Sequence, residues 1–323
     1  MGKMDQKIIR FSVIMPLYNK AAYVEKAIRS VLEQTYPHYE LIVVNDGSTD
    51  TSAIIAEELL KDVPNARLIN QENTGVAVAR NNGVAQAKGD YVCFLDADDW
   101  WDVSFLQEMQ QFIKDYPEAG IWGTNYWYVK NGHKRIVNGE IKTGYINFCV
   151  EYEKSLVQVL WTGSVCLHKE IYDKFNGFLP NLKLGEDFIL WLNIALNYKV
   201  AFLNKQLSFY NFDVDTQARA ISKLHKPLHH MLWNLDRFYQ YEISNNEVKM
   251  LFDKLRVHGL LKYWLNEEYH ELAKQELTKV DWDKQPPRIK QLYKKPIWYI
   301  RNKQNILCIA SMIKQGMINL LKK

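Results

Sequence analysis

The densest group of potential chemistry in the 323-residue chain is Asp96-Ala97-Asp98-Asp99, which closes an apolar run over residues 90–95 (DYVCFL). Residues two apart in an extended chain point to the same side, so Asp96 and Asp98 would crowd two like charges. Such a pair needs a cation or a solvated turn. Hard Mg2+ or Mn2+ takes carboxylate oxygens and shares them with diphosphate oxygens. The plainer role is a solvated turn, with Asp99 or Asp102 capping the next helix. Position at a strand end, beside other polar strand ends, favours the metal. Asp46 stands in Asn-Asp-Gly-Ser after a second apolar run, residues 40–45 (ELIVVN). It suits an Asx turn, which Gly47 permits, or an acceptor for a nucleobase N–H. Glu186-Asp187 follows Leu184-Gly185 and opens a helical pattern. It suits favourable charge at a helix N-terminus, or a general base across a crevice.

Other kinds of site are missing. The N-terminal segment has no G-x-G-x-x-G and no G-x-x-x-x-G-K-[ST], which argues against a dinucleotide site and a P-loop. Thr162-Gly163-Ser164 lacks the G-x-S-x-G frame of a nucleophile elbow. The eight His show no metal-ligand spacing, and the adjacent His229 and His230 point to different helix faces. Cys93, Cys149, Cys166 and Cys308 sit among apolar neighbours without paired spacing, as buried free thiols of a reducing compartment would. Trp100, Trp101, Trp161 and Trp191 offer faces for sugar stacking, with core packing the larger share for Trp161 and Trp191.

The elements that must position these residues alternate over the first hundred positions. Strands are expected at 11–17, 40–45, 67–71 and 90–95, from short β-branched and apolar runs. Between them, Val24, Ala27, Ile28, Val31 and Leu32 recur at helical spacing. A second helix carries Ile54, Ile55 and Leu59 behind the cap residues Ser48, Thr49 and Asp50, and a third lies near 76–87. This alternation predicts an α/β fold with a mostly parallel central sheet flanked by helices. Ligands of such sheets bind at the carboxyl ends of the strands. Those ends are residues 16–19, 45–48, 73–75 and 96–99, and all should face one crevice.

Beyond Trp100 the pattern changes. A helix bearing Phe105, Met109, Phe112 and Ile113 ends at Tyr116-Pro117, and Asn131-Gly132 marks a hairpin between strands at 121–129 and 134–137. Residues 157–168 read as another strand. From about 223 the chain turns helical: Pro227 opens one helix, 245–265 holds another, and Pro286-Pro287 breaks the run. We therefore expect a catalytic domain over 1–222 and a C-terminal helical region over 223–323.

Charge divides the same way. The formal net charge is +4, yet residues 284–323 hold ten basic residues and no acidic one, leaving 31 basic against 37 acidic residues before them. In the tail, Ile306, Ile309, Ile313, Met317 and Leu320 fall on one helical face. Such a helix either docks on a core or lies against anionic lipid, with Trp298 and Tyr299 at headgroup depth. The start of the chain has no apolar signal-peptide core, and no run reaches the ~18 apolar residues of a membrane span. The expected location is the cytoplasm, either free or peripheral on the inner face of the membrane. Nucleic acid is a poor partner for an acidic body without a reading motif.

Taken in order, residues 11–19 (FSVIMPLYN), 30–36 (SVLEQTY), 40–50 (ELIVVNDGSTD), 73–81 (NTGVAVARN) and 89–99 (GDYVCFLDADD) resemble the family 2 inverting glycosyltransferases. Gly177-Phe178 and Gly185-Glu186-Asp187-Phe188 fit the later segment of that family, so the resemblance spans roughly residues 10 to 200. It implies a GT-A fold, a nucleoside diphosphate sugar donor (usually a UDP-sugar), a divalent metal and a glycan or lipid-linked acceptor. By similarity, Pro16 and Tyr18 would line the nucleobase pocket, Asp46 would accept from the base, and Asn73 would belong to the donor site. Asp96 would approach ribose and metal, Asp98 would ligate the metal, and Asp187 would be the general base, with Glu186 a supporting or acceptor-binding carboxylate. Two departures stand out. Asn45 replaces the first Asp of the usual Asp-Asp-Gly-Ser, and residues 209–219 (FYNFDVDTQAR) lack the usual basic, His-containing stretch. Two other classes share parts of this pattern. A sugar-phosphate nucleotidyltransferase would carry a Gly-rich basic loop at the first strand, and a non-catalytic binding protein would not need Asp46, Asp98 and Asp187.

Overall fold

The computed structural model describes residues 8–214, 223–297 and 300. In chain order the elements are β1 (Phe11–Leu17), α1 (Val24–Leu32), β2 (Tyr39–Asp46), α2 (Ser52–Leu60), β3 (Ala66–Gln71), α3 (Val76–Ala85), β4 (Tyr91–Phe94), β5 (Trp100–Trp101), α4 (Phe105–Asp115), β6 (Ala119–Lys130), β7 (His133–Ile136), β8 (Gly144–Ile146), α5 (Phe148–Ser155), β9 (Val165–His168), α6 (Lys169–Lys174), α7 (Glu186–Ala195) and β10 (Lys199–Asn211). Then follow α8 (Tyr239–Ser244), α9 (Asn246–Gly259), α10 (Leu261–Trp264), α11 (His270–Leu277) and α12 (Pro287–Lys294). The chain groups into two units. One comprises the described parts of Met1–Phe148 and Val159–Arg219, the other Cys149–Gln158 with the described part of Ala220–Lys323.

In the first unit the strand order is β3-β2-β1-β4-β9-β6-β10-β5, with β7 beside β6 and β8 beside β10. Every residue of β1 is buried, as a strand covered on both faces requires. The parallel register sets Val13 beside Leu41 of β2 and Cys93 of β4, and Val43 beside Leu68 of β3. This alignment brings the carboxyl ends of β1 to β4 to one edge of the sheet. The helix α1 buries Val24, Ala27, Ile28 and Val31, the stripe that its spacing predicts.

The expectation of a mostly parallel sheet holds for β3-β2-β1-β4 and for β6 with β10; the pairs β4–β9, β6–β9, β6–β7, β5–β10 and β8–β10 are antiparallel. The β6–β7 turn explains one of these locally. Asn131 and Gly132 both adopt positive φ (49° and 73°), the backbone of a two-residue hairpin. The strand expected over 157–168 is confined to β9, because Thr162–Ser164 form a 3-10 turn. On α2 the buried positions are Ser52, Ala56 and Leu60, whereas Ile54 is 64% exposed. Trp161 and Trp191 are core residues, and Cys93, Cys149 and Cys166 are buried free thiols.

In the second unit, Pro227–His229 and Met231–Phe238 are 3-10 helices rather than one α-helix. The helix expected over 245–265 divides at Leu260 into α9 and α10. Asn245 caps α9 by accepting from the amides of Glu247 (2.8 Å) and Val248 (3.3 Å). Arg256 is fully buried and binds both carboxylate oxygens of Glu242. The apolar tail face (Ile306, Ile309, Ile313, Met317, Leu320) and Trp298 and Tyr299 lie outside the described residues, as does Cys308. Among the described residues no helix is long and apolar enough to cross a membrane.

Candidate active site

Asp46 ends β2 almost fully buried, at 3% exposure. Its Oδ1 accepts from the Thr74 amide (2.8 Å), the Gln71 side-chain amide (2.8 Å) and the Thr74 hydroxyl (3.3 Å); its Oδ2 accepts from the Gly75 amide (2.9 Å). A carboxylate offers about four lone-pair positions, so Oδ2 keeps room for one more donor. Gly47 lets this loop close. It adopts φ +70°, and a Cβ there would stand 2.9 Å from the Asn73 amide nitrogen. Asn45 donates to the Asn70 side-chain oxygen (2.8 Å) and accepts from the Ser48 amide (3.0 Å). At the end of β1, Pro16 is buried, while Tyr18 is 46% exposed. Asn19, at φ 51°, accepts from the Thr49 amide (2.8 Å), tying this loop to the one after β2. Asn73 is exposed.

The 96–99 segment is a turn, closed by the Asp99 amide donating to the Asp96 carbonyl (3.0 Å), and not the extended chain assumed from spacing. Its three carboxylates have separate partners. Asp96 accepts from Arg80 (2.7 Å), Asp98 from Lys20 (2.5 Å) and Asp99 from the Asn211 amide (2.7 Å). Burial pushes the Asp98 carboxyl above its usual range; Lys20 opposes that rise and Asp96 adds to it. Asp99 is pushed further up by complete burial and by both neighbouring aspartates. Asp99 therefore anchors the end of β10, while Asp102 accepts from the Ser104 amide (3.0 Å) ahead of α4.

Gly185, left-handed at φ 83°, turns the chain into α7. There Glu186 accepts from Arg80 at 3.0 Å, so one guanidinium joins the end of β4 to the start of α7. Burial opposes a charge on Arg80, but Asp96 and Glu186 outweigh it and push its pKa up. Glu186 is raised to about 7 by burial and then by Asp187, against the pull of Arg80. Asp187 is also raised by burial; Arg80, the Phe188 amide (2.7 Å) and the Thr162 hydroxyl (3.1 Å) restrain the rise. Burial thus holds protons on both carboxyls more tightly than water would, most clearly on Glu186.

The first unit thus links Asp96 with Glu186 through Arg80, Asp98 with the β1 loop through Lys20, and Asp46 with residues 74 and 75. Sequence reasoning missed Lys20, Arg80 and Thr162. Arg80 carries a readable signal: it shares the buried face of α3 with Ala77 and Val84, where an arginine demands anionic partners. Among the described residues, no three His, Cys, Asp or Glu side chains converge on a metal position. Carboxylate oxygens such as those of Asp96 and Asp98 suit a hard divalent cation, whose other ligands would then be substrate oxygens and water. Their mutual repulsion, which helps raise Asp98, is what such a cation relieves.

This sheet, with helices packed on it and polar strand ends along one edge, is the GT-A glycosyltransferase fold. It is shared with the crystal structure of S. aureus TarS 1-349 in complex with UDP-GlcNAc (TM-score 0.68, 20% identity, 95% of this chain and 92% of that one). It is also similar to mannosyltransferase PcManGT from Pyrobaculum calidifontis in complex with GDP-Man and Mn2+ (TM-score 0.56, 18% identity, 97% and 88%). Residues 12–173 match the family described as glycosyl transferase family 2, and the chain belongs to that family. Over 215 residues it is 29% identical to the uncharacterized glycosyltransferase RC0461 of Rickettsia conorii, covering 64% of this chain. The match spans about a third of that relative's length (34%).

Proposed function

We propose that the chain moves a sugar from a nucleoside diphosphate sugar, with UDP as the nucleotide, to a hydroxyl of a glycan or lipid-linked acceptor. The product would belong to a surface polysaccharide or cell-envelope glycan. The observation that carries this reading is the Arg80 bridge between Asp96 and Glu186, which ties the start of α7, and with it Asp187, to the polar strand ends. Membership of glycosyl transferase family 2 supports the reaction class. The UDP-GlcNAc complex of TarS favours UDP as the nucleotide.

In this reading Pro16 and Tyr18 line the base, and Asp46 accepts a base N–H at Oδ2. Asn73 lies on the donor side, and Asp96 faces the ribose and diphosphate. A divalent cation, Mn2+ or Mg2+, held by Asp98 and Asp96, would offset negative charge on the departing diphosphate. Asp187 takes the acceptor hydroxyl proton while that oxygen bonds to the anomeric carbon and the bond from that carbon to the diphosphate oxygen breaks. One displacement inverts the configuration, so an α-linked donor yields a β-glycoside. Glu186 holds Arg80 and adjusts the charge beside the base. The location proposed is the cytoplasm, peripheral on the membrane through the basic tail. Salt-sensitive binding to anionic vesicles, lost on truncation after Lys284, tests that placement; binding unchanged by truncation contradicts it.

A panel of nucleotide sugars with Mn2+, scored for released nucleotide with and without acceptors, tests the reaction. Release of UDP from at least one donor is expected. Release of pyrophosphate would instead identify a nucleotidyltransferase.

A further inference from the structure

Two cations hold the paired aspartates, and they are not alike. Arg80 has 4% of its side chain exposed and is fixed by two carboxylates. Lys20 is 24% exposed at its side chain and meets Asp98, itself 18% exposed. The Lys20 backbone is anchored separately, its amide donating to the Ser52 hydroxyl at 2.7 Å. Its ammonium therefore sits at the end of a flexible four-carbon stem, while the chain around its Cα is fixed.

The carboxylate oxygen that Lys20 occupies, Asp98 Oδ2, is one that a hard divalent cation would use. An ammonium and a divalent cation cannot share that oxygen without strong repulsion in a partly buried site. For one to enter, the other must leave, and a displaced ammonium needs a new anionic partner.

We propose that Lys20 is a displaceable counter-ion that closes Asp98 to divalent metal in the free protein, and that a nucleoside diphosphate opens the site by offering Lys20 its phosphate oxygens. Metal binding is then conditional on the nucleotide, and by linkage nucleotide binding is equally conditional on the metal. This inference rests on the reading of Asp98 as a metal carboxylate.

The test is Mn2+ binding, followed by the loss of the free-ion electron paramagnetic resonance signal and corrected for Mn2+ held by UDP alone. Wild type, Lys20→Met, Lys20→Gln and Asp98→Asn are each titrated with and without UDP, after thermal melts confirm folding. The wild type should bind Mn2+ at least about tenfold more tightly with UDP than without it, within the usual range of coupling between sites. Lys20→Met and Lys20→Gln should bind Mn2+ without UDP about tenfold more tightly than the wild type does, and lose most of the UDP effect. Lysine variants that match the wild type in the absence of UDP overturn the counter-ion role. A separate result, Asp98→Asn binding Mn2+ with UDP as well as the wild type, overturns the metal reading of Asp98 itself.

Discussion

The Arg80 guanidinium lies 2.7 Å from Asp96 and 3.0 Å from Glu186, a single buried counter-charge for carboxylates on two different elements. Removing it by Arg80→Met leaves both without their partner. Breaking a buried ion pair from one side costs about 3–5 kcal/mol. A loss of that order is expected in the urea-unfolding free energy, with Arg80→Lys recovering only part, since an ammonium lacks the planar fork. An unchanged unfolding midpoint in Arg80→Met would contradict the bridge.

Glu186 binds its proton more tightly in the folded protein than in the unfolded chain, its pKa rising from the ordinary 4.5 to about 7. The stability this group contributes is therefore complete below about pH 4.5 and is lost as pH rises through about 7. Urea midpoints measured across that window should fall with pH in the wild type and fall less in Glu186→Gln. Because Glu186 and Asp187 titrate as a pair beside Arg80 and Asp96, the transfer rate should rise with pH as the pair gives up its last proton. A rate flat between about pH 5 and about pH 8 would speak against a base in this pair.

Adjacent Asp98 and Asp99 should respond differently to substitution. Asp99 is 2% exposed, is raised by burial and by the neighbouring aspartates, and accepts the Asn211 amide. Asp99→Asn keeps an oxygen acceptor for that amide and should cost less than about 1 kcal/mol, whereas Asp99→Ala strands the amide and should cost about 1–3 kcal/mol. Thermal melts of the two variants check the order, and Asn as harmful as Ala would contradict it.

What the sequence makes legible follows from locality. The strands β1 to β4 are short β-branched runs, and Asp46, Asp96 and Asp98 follow from their carboxyl ends. Glu186 and Asp187 are legible from Gly185, which marks the start of α7. The antiparallel return of β9 against β4 and β6 is a long-range pairing with no local pattern behind it. Lys20 was hidden because its partner lies 78 residues away, and a lone lysine after a strand reads as solvated. Ile54 misled in the opposite sense, an apolar residue at helical spacing that lies exposed on α2.

In the proposed reaction Asp187 removes the acceptor proton in a transfer from UDP-sugar. The most direct test of this step pairs two readings on Asp187→Asn with Mn2+ present: UDP affinity by calorimetry, and UDP formed in the presence of acceptor. Transfer should fall by about 10²–10⁴-fold, the usual weight of a positioned base, while UDP affinity stays at the wild-type value. Undiminished transfer by Asp187→Asn would contradict the account.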